Sequence, residues 1–192
     1  MSGNGDRRVR RSRRAVQQAL IELILERGYD RVSVTEIIDR ADVGRSTFYA
    51  HFTGKQAVLA ANLDDLSDTL RHGPGGAPLD FSLPMLEHIA GQRRLVRALL
   101  GRRGGAVVMA QAERTLAEIV RAELLAALPA GAPPPGGLEV AVMCVVGAFM
   151  TMLRTWVEGD LTATPAELDT AFRALLLPGL TTFLRQPAPD HA

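Results

Sequence analysis

An eighteen-residue segment that begins at Thr35, TEIIDRADVGRSTFYAHF, limits the fold of this chain more than any other feature. Apolar residues return every three or four positions on both sides of a break at residues 42–44, which predicts two short helices joined by a tight turn. Ser33 and Glu36, just before and within the segment, have the spacing of a capping box. The first short helix is therefore predicted to begin at Val34.

The break and the second helix follow from the same kind of pattern. Gly44 is expected to adopt the backbone angles that the turn requires and that cost other residues a steric penalty. The second helix is predicted from about Arg45 to His51. Phe48 and Phe52 lie four residues apart, so they share one face and point towards the core.

The opposite face of the second helix carries hydrogen-bonding side chains near its N-terminus: Arg45, Ser46, Thr47 and Tyr49. Such a helix suits the DNA major groove, where its first turn contacts base edges. Arg45 is the candidate base reader, because a guanidinium pairs with guanine in bidentate fashion. Ser46 and Thr47 suit a base or a phosphate, and Tyr49 suits a phosphate. Taken alone, the pattern also fits a generic helical hairpin.

The flanking sequence favours the first interpretation, because about fifty residues from Arg13 to Leu63 resemble the N-terminal domain of the TetR/AcrR family of transcriptional regulators. The matching features are a first helix that ends near Gly28-Tyr29, the segment STFYAHF, and a lysine, Lys55, at the start of the next helix. The resemblance implies base or phosphate contacts for the four residues named above. It also implies phosphate contacts for His51 and Lys55.

Lys55 and His51 have other interpretations as well. Thr53 and Gln56 have the spacing of a second capping box, so Lys55 would lie in a first helical turn, where a cation opposes the helix dipole. That placement favours an external anion as its partner, although a solvated surface lysine is the alternative. His51 follows an aromatic pair and either contacts phosphate or packs against its neighbours.

The N-terminus is strongly basic, with six arginines between residues 7 and 14. Residues 1–12 are predicted to form a disordered basic arm, which is either a solvated tail or a phosphate-binding or minor-groove arm. Through Lys55 the chain carries four more basic than acidic residues, whereas the remainder carries three more acidic than basic ones. The net charge of +1 therefore conceals one basic end, as expected if only that end meets nucleic acid.

The predicted fold is all-α, with a three-helix DNA-binding domain that contains the helix-turn-helix and a C-terminal helical bundle for ligand binding and dimerisation. The predicted domain organisation is a basic arm at 1–12, a DNA-binding domain at 13–55, a connecting helix at 56–71 and an effector-binding and dimerisation domain at 72–192. The segment HGPGGAP after residue 71 is the predicted domain boundary.

Four helices are predicted in the C-terminal part: 82–100, one that follows a break at 101–105 and ends at Leu128, 138–156 and one from Pro165 that Pro178 kinks or interrupts. The arginines around residues 93–103 either attract an anionic ligand or form a solvated face. The apolar segment 138–156 approaches the length of a membrane span. We nevertheless predict no membrane association, because Glu139 and Arg154 reduce its uncharged part to fourteen residues.

The resemblance implies a homodimer that pairs through a four-helix bundle, and two reading heads on a pseudo-palindromic double-stranded operator would multiply discrimination. An ordinary intrachain core is the alternative for the closing helices. The family typically binds a small effector in the bundle, which lowers operator affinity, and the helix after Lys55 would transmit the change. Adaptable or aromatic residues that would line such a pocket, or else form plain core, are Met85, His88, Met109, Met143, Phe149, Met152 and Trp156.

Little in the sequence supports an enzyme, because it has no Gly-rich phosphate loop, no metal-spaced His or Cys cluster and no nucleophile elbow. No cofactor is expected. The single cysteine, Cys144, lies in an apolar run and is predicted to be a packed thiol in a reducing cytoplasm. The leading functional hypothesis is a repressor released by a small molecule. The alternative is a helix-turn-helix regulator without such a ligand, either constitutive or controlled by a protein partner.

Overall fold

A computed structural model of the chain describes residues 3–71, 77–100 and 105–185, and within these ranges every regular element is helical. The helices are α1 Gly3–Arg27, α2 Val34–Ala41, α3 Arg45–His51, α4 Lys55–Arg71, α5 Ser82–Gly91, α6 Arg93–Leu100, α7 Gly105–Ala126, α8 Leu138–Glu158 and α9 Pro165–Leu184. A single 3-10 turn, Tyr29–Arg31, lies between α1 and α2. The prediction of an all-α fold is confirmed.

The N-terminal arm differs from its prediction. Helix α1 begins at Gly3, so a disordered arm over residues 1–12 is wrong for residues 3–12. From Arg7 onward, where burial is described, Val16 is the first buried residue of this helix. The arginine-rich turns before it are therefore helical although they add nothing to the hydrophobic core.

The chain forms two compact units. The first contains Met1–Leu66 and Arg94–Gln111, and the second contains Ser67–Arg93 and Ala112–Ala192. These limits differ from the predicted boundaries after residues 55 and 71, because residues 94–111 belong with the N-terminal unit. The predicted boundary segment lies mostly outside the described residues, and so do the first four residues of the predicted break at 101–105. The last residue of that break, Gly105, begins α7.

Each unit has its own apolar core. In the first unit, α1 packs on α2 and α3 around the fully buried Phe48. In the second unit, α5 packs on α9, and α8 contributes to the same core. Phe149 of α8 lies 5.1 Å from Phe81 and 5.4 Å from Phe172 between ring centroids, in edge-on arrangements that aromatic rings prefer.

Two helices of the C-terminal part depart from their predictions. The helix predicted over 82–100 is divided at Gln92, where the backbone leaves the helical region. Helix α9, in contrast, continues without interruption through Pro178. The proline removes one hydrogen bond and costs about 3 kcal/mol. The buried residues Phe172 and Leu180 anchor the helix on both sides of Pro178, which offsets this cost.

Helix α8 is the one helix in the described ranges that is long and apolar enough to cross a membrane by length and composition alone. Such a helix is weak evidence for a membrane protein, because core helices of soluble proteins meet the same criteria. The side chains of α8 that face the core include Val142, Val145 and Phe149, all of them buried.

Candidate nucleic-acid interface

Helix α2 begins where the capping box predicts. The Ser33 hydroxyl accepts a hydrogen bond from the Glu36 N–H at 3.3 Å, and the Glu36 carboxylate accepts one from the Ser33 N–H at 2.8 Å. These hydrogen bonds lower the pKa of the Glu36 carboxyl below its ordinary value, the backbone N–H of Ser33 contributing most. Arg27 of α1 also contacts this carboxylate. The start of α2 is thereby fixed to the end of α1.

A second ionic contact joins the same two helices. The guanidinium of Arg40, in the last turn of α2, donates to both carboxylate oxygens of Glu26 at 2.8 and 2.9 Å, and to Glu22 at 3.3 Å. Because the hydrogen bonds from Arg40 stabilise its charged form, the pKa of the Glu26 carboxyl is lowered. These are exposed pairs that contribute little to stability. They do select the register of α2 on α1.

The turn between α2 and α3 does not depend on glycine. Gly44 has an ordinary extended backbone, with φ −70° and ψ 150°, whereas Asp42 takes the left-handed conformation with φ 51°. The prediction for Gly44 is therefore wrong. Asp is one of the few residues that tolerate this conformation. The Val43 N–H donates to the Ile38 carbonyl at 3.3 Å and completes the end of α2.

Helix α3 has the predicted bounds and presents two different faces. Phe48 and Phe52 are buried, and their ring centroids lie 5.8 Å apart. Arg45 and Ser46 are exposed on the first turn. Tyr49 is 58% exposed although its ring contacts Phe48 edge-on at 5.3 Å. A rigid aromatic anchor thus supports a polar first turn.

Thr47 and His51 are half-buried on the same helix. The His51 ring lies 6.4 Å from Phe52 in an edge-on arrangement. This contact supports the packing interpretation of His51 and leaves part of its ring accessible. Both predicted roles of this residue stay open.

Lys55 has a different environment from the one that the sequence predicts. Its ammonium donates to the backbone carbonyls of Tyr29 at 3.1 Å, Asp30 at 3.3 Å and Val32 at 2.9 Å. It also lies 4.6 Å from the centroid of the Tyr29 ring. An ammonium has three donors, and all three are used within the protein. The prediction that Lys55 contacts phosphate directly does not fit this geometry.

The helical form of the basic N-terminus places three arginines on one side of α1. Arg7, Arg11 and Arg14 are spaced by four and three residues and are all exposed, so they form one stripe on the helix. The buried residues Val16 and Leu20 follow Arg7 by about two and a half and three and a half turns. The arginine stripe therefore lies on the side of α1 that faces away from the core.

The seven candidate effector residues do not form one group. Met109 lies in the first unit, whereas the other six lie in the second. Phe149 is buried in the aromatic cluster described above. Trp156 is also buried, with its indole N–H donating to the Ala163 carbonyl at 2.8 Å. The guanidinium of Arg93 lies 5.1 Å from the Trp156 ring centroid and donates to its carbonyl oxygen.

Of the remaining candidates, Met85, His88 and Met152 are half-buried. Met143 is 69% exposed on α8 and cannot line an internal cavity of this unit, so its prediction is wrong for the single chain. Cys144 is exposed on the same helix, contrary to the packed thiol that was expected.

A cavity of about 530 Å³ in the second unit is lined by other residues. Its lining consists of Pro78, Ala127, Leu128, Pro129, Ala132, Pro133, Pro135, Thr181, Leu184 and Arg185. None of the seven predicted effector residues contributes to it. No cluster of three or more potential metal ligands occurs among the described residues.

Several known proteins are similar to this chain in sequence. Residues 18–61 match the family model for bacterial regulatory proteins of the tetR family. The A-factor receptor protein of Streptomyces griseus is 32% identical over 66 residues, which are 34% of this chain and 24% of that protein. The transcriptional repressor DhaR of a Mycobacterium species (strain GP1) is 29% identical over 119 residues, 59% of this chain and 60% of that protein.

The likeness extends further in structure than in sequence. A TetR transcriptional regulator from Streptococcus agalactiae superposes with a TM-score of 0.66 at 22% identity, covering 90% of this chain and 97% of that one. At this identity the superposition shows a shared fold. The sequence matches span only about a quarter of the length of the first two curated relatives, 24% and 26%. These partial matches therefore do not show what this chain binds.

Proposed function

This chain belongs to the TetR family of bacterial transcriptional regulators, and we propose that it is a dimeric repressor that leaves its operator when a small effector binds. The observation that supports this most directly is the exposed polar first turn of α3 above the buried Phe48. Short and flexible polar side chains on a rigid helix are what the major groove accommodates.

In this proposal Arg45 reads a guanine, since its exposed guanidinium is free to present two parallel donors. Ser46 and Thr47 contact a base or a phosphate, and Tyr49 and His51 contact phosphate oxygens. The arginine stripe of α1 adds phosphate contacts beside the reading head. A helix about 10–12 Å wide does not fit a minor groove about 6 Å wide, so the stripe binds along the backbone.

The closing helices support dimerisation. On α8, Val140 is 59% exposed and Met143 is 69% exposed, and Cys144 and Gly147 lie exposed on the same side. On α9, Leu175 is 80% exposed. Large apolar side chains exposed at helical spacing are typical of an interface that a partner covers. A second copy of the chain, pairing α8 and α9 across a two-fold axis, would cover both patches.

Control by a small effector is the second part of the proposal. One relative, the A-factor receptor protein, is named as a receptor. Half-buried Met85, His88 and Met152 offer adaptable contacts for such a molecule. Helix α4, which begins in the first unit and ends in the second, would carry the change in operator affinity. A cytoplasmic location accords with DNA as the partner.

The first experiment is selection from a random duplex library by the purified protein at near-physiological salt, with sequencing of the retained DNA. Recovery of a pseudo-palindromic motif, with a dimer in analytical ultracentrifugation, supports a dimeric regulator. Recovery of no preferred motif in the presence or absence of effector extracts would overturn sequence-specific regulation.

A second experiment separates the two modes of control. The recovered operator is titrated with protein in the presence of fractionated small molecules of the host cell. A saturable loss of operator affinity supports an effector, because a ligand acts only through different affinities for two states. An operator affinity that no fraction changes favours the alternative, a constitutive or partner-controlled regulator.

A further inference from the structure

The ammonium of Lys55 uses all three of its donors within the DNA-binding unit. Its three hydrogen bonds to carbonyl oxygens range from 2.9 to 3.3 Å, and they converge from the residues Tyr29, Asp30 and Val32 on one nitrogen. The face of the Tyr29 ring adds a cation–π contact. The side chain is half-buried, so these contacts are partly shielded from water. A solvated surface lysine would make none of them.

The composition of the chain gives this position further weight. Lys55 is the only lysine, whereas the other 21 of the 22 Lys and Arg residues are arginines. A guanidinium binds phosphate at least as well as an ammonium, because its planar fork donates two parallel hydrogen bonds. It cannot donate three hydrogen bonds from one nitrogen to converging acceptors, as an ammonium can. The carbonyl site, in contrast to a phosphate contact, therefore requires lysine.

The three carbonyls and the ammonium belong to the two ends of the helix-turn-helix. Tyr29, Asp30 and Val32 precede α2, and Lys55 begins α4, four residues after the end of α3. The sequence separations between Lys55 and its three acceptors are 23 to 26 residues. The two helices of the helix-turn-helix, α2 and α3, thus lie within a segment of the chain whose two ends are joined by the Lys55 side chain. Closing a loop of this size restricts the conformations of everything within it.

We propose that Lys55 is a positioning residue that fixes the orientation of α3 by tying the two ends of the helix-turn-helix together, and that it does not contact phosphate. The proposal rests on DNA recognition by α3 as proposed above. It also explains why a cation is tolerated in the first turn of α4. The carbonyl oxygens at the end of the 3-10 turn supply the partial negative charge that the helix N-terminus lacks.

The variants Lys55→Arg and Lys55→Met separate positioning from phosphate binding. Their affinities for the duplex recovered by selection and for a random duplex are measured from low to moderate salt, at a temperature where circular dichroism shows full folding. Loss of the three carbonyl contacts is expected to lower the ratio of the two affinities about tenfold in both variants. The dependence of log affinity on log salt is expected to stay that of the wild type.

A direct phosphate contact predicts a different pattern. Lys55→Arg would then bind like the wild type, and Lys55→Met would lose about 0.9 from the salt slope without a change in discrimination. That result would overturn the proposal. Val16→Ala is the matched control, because it destabilises the same unit at a buried site away from the carbonyls. It is expected to lower the melting temperature and to leave the affinity ratio unchanged.

A measurement on the wild type needs neither a variant nor DNA recognition. With ¹⁵N-lysine labelling the protein has one lysine ammonium, so its NMR signal needs no assignment among others. We expect slow proton exchange in the free protein and an unchanged chemical shift when random duplex is added. A signal that sharpens only with DNA would overturn the proposal. If selection recovers no preferred duplex, the proposed function fails, and this measurement still decides the role of Lys55.

Discussion

In each unit, a charged side chain forms hydrogen bonds with the backbone of an irregular turn, and the Lys55 and Glu123 side chains that do so have opposite charges. In the first unit the Lys55 ammonium donates to three carbonyls of residues 29–32. In the second, the Glu123 carboxylate of α7 accepts a hydrogen bond from the Leu79 N–H at 3.0 Å. Both side chains are distant in sequence from the turn they hold.

The turn of the second unit is the more constrained one. Leu79 is buried and has φ 69°, a left-handed conformation that is costly for a leucine. Its carbonyl accepts hydrogen bonds from Arg173 at 2.7 Å and from the Ser82 hydroxyl at 2.8 Å. Its peptide groups are thus held from three directions, which is how a strained conformation persists.

The turn of the second unit is held by a carboxyl whose protonation changes with pH near neutrality. Burial raises the pKa of the Glu123 carboxyl to about 7, although N–H groups of Phe81 and Leu79 oppose the shift. Asp80 raises this pKa further and Arg173 lowers it. The second unit therefore depends on a carboxyl whose pKa lies near neutral pH, within a turn that is already strained.

The largest effects are expected from core substitutions, which test whether the two units unfold independently. Phe48→Ala and Phe149→Ala each remove a fully buried ring from one unit and should each cost about 3–5 kcal/mol of unfolding free energy. Urea unfolding followed by circular dichroism and by fluorescence of Trp156 distinguishes the units. If Phe48→Ala shifts both unfolding transitions equally, the two units unfold together, which would contradict their independence.

Arg45→Ala tests whether the first unit reads DNA bases through Arg45. Loss of a bidentate base contact should weaken operator binding by about 1–3 kcal/mol and relax the preference at one position of each half-site. Binding selection repeated with the variant measures this. Equal losses on operator and random duplex would contradict its role as a base reader. Arg154→Ala, at an exposed position in the second unit, is the control.

Glu123→Gln tests the titrating turn. Because the folded-state pKa is raised, the folded protein favours the protonated carboxyl, and stability is lost as pH rises from about 4.5 through about 7. The neutral variant should therefore gain about 1–2 kcal/mol more over the wild type at pH 8 than at pH 5, after allowance for partial solvent exposure. Glu87→Gln, at an exposed site, is the control for the loss of a carboxylate from the same unit.

Replacing the three arginines of the α1 stripe with glutamine should weaken specific and random DNA alike. Each lost phosphate contact lowers the salt slope by about 0.9. Ser12→Pro keeps every charge and interrupts the helix within the stripe, so it separates a helical stripe from a charged tail. Wild-type affinity and salt slope in Ser12→Pro would show that helix formation is irrelevant there.

The smallest effect is expected at the capping boxes of α2 and α9, which have the same geometry. Thr164 and Glu167 at α9 repeat the distances of the α2 box, 2.8 and 3.3 Å. Ser33→Ala and Thr164→Ala should each cost about 1 kcal/mol. Only Ser33→Ala should also reduce DNA affinity, because α2 has eight residues and packs, like α3, on α1 in the DNA-binding unit. An equal loss of DNA affinity in both variants would contradict this.

Local sequence signals determined the start of α2, both ends of α3 and the start of α9. Each of these depends on residues within about four positions of one another, such as Ser33 with Glu36 or Phe48 with Phe52. The sequence therefore carried the fold class and the segment that presents Arg45. The contacts that Arg45 and its neighbours make with DNA stay predictions.

Tertiary structure alone decided the rest. The acceptors of Lys55 lie 23 to 26 residues away, so no local pattern includes them, although its status as the only lysine was a visible sign. Pro178 lies in an uninterrupted helix because buried residues on both sides hold it. Glu123 meets Leu79 across 44 positions. Short-range periodicity specifies helices, whereas the environment of a charge depends on what the folded chain brings to it.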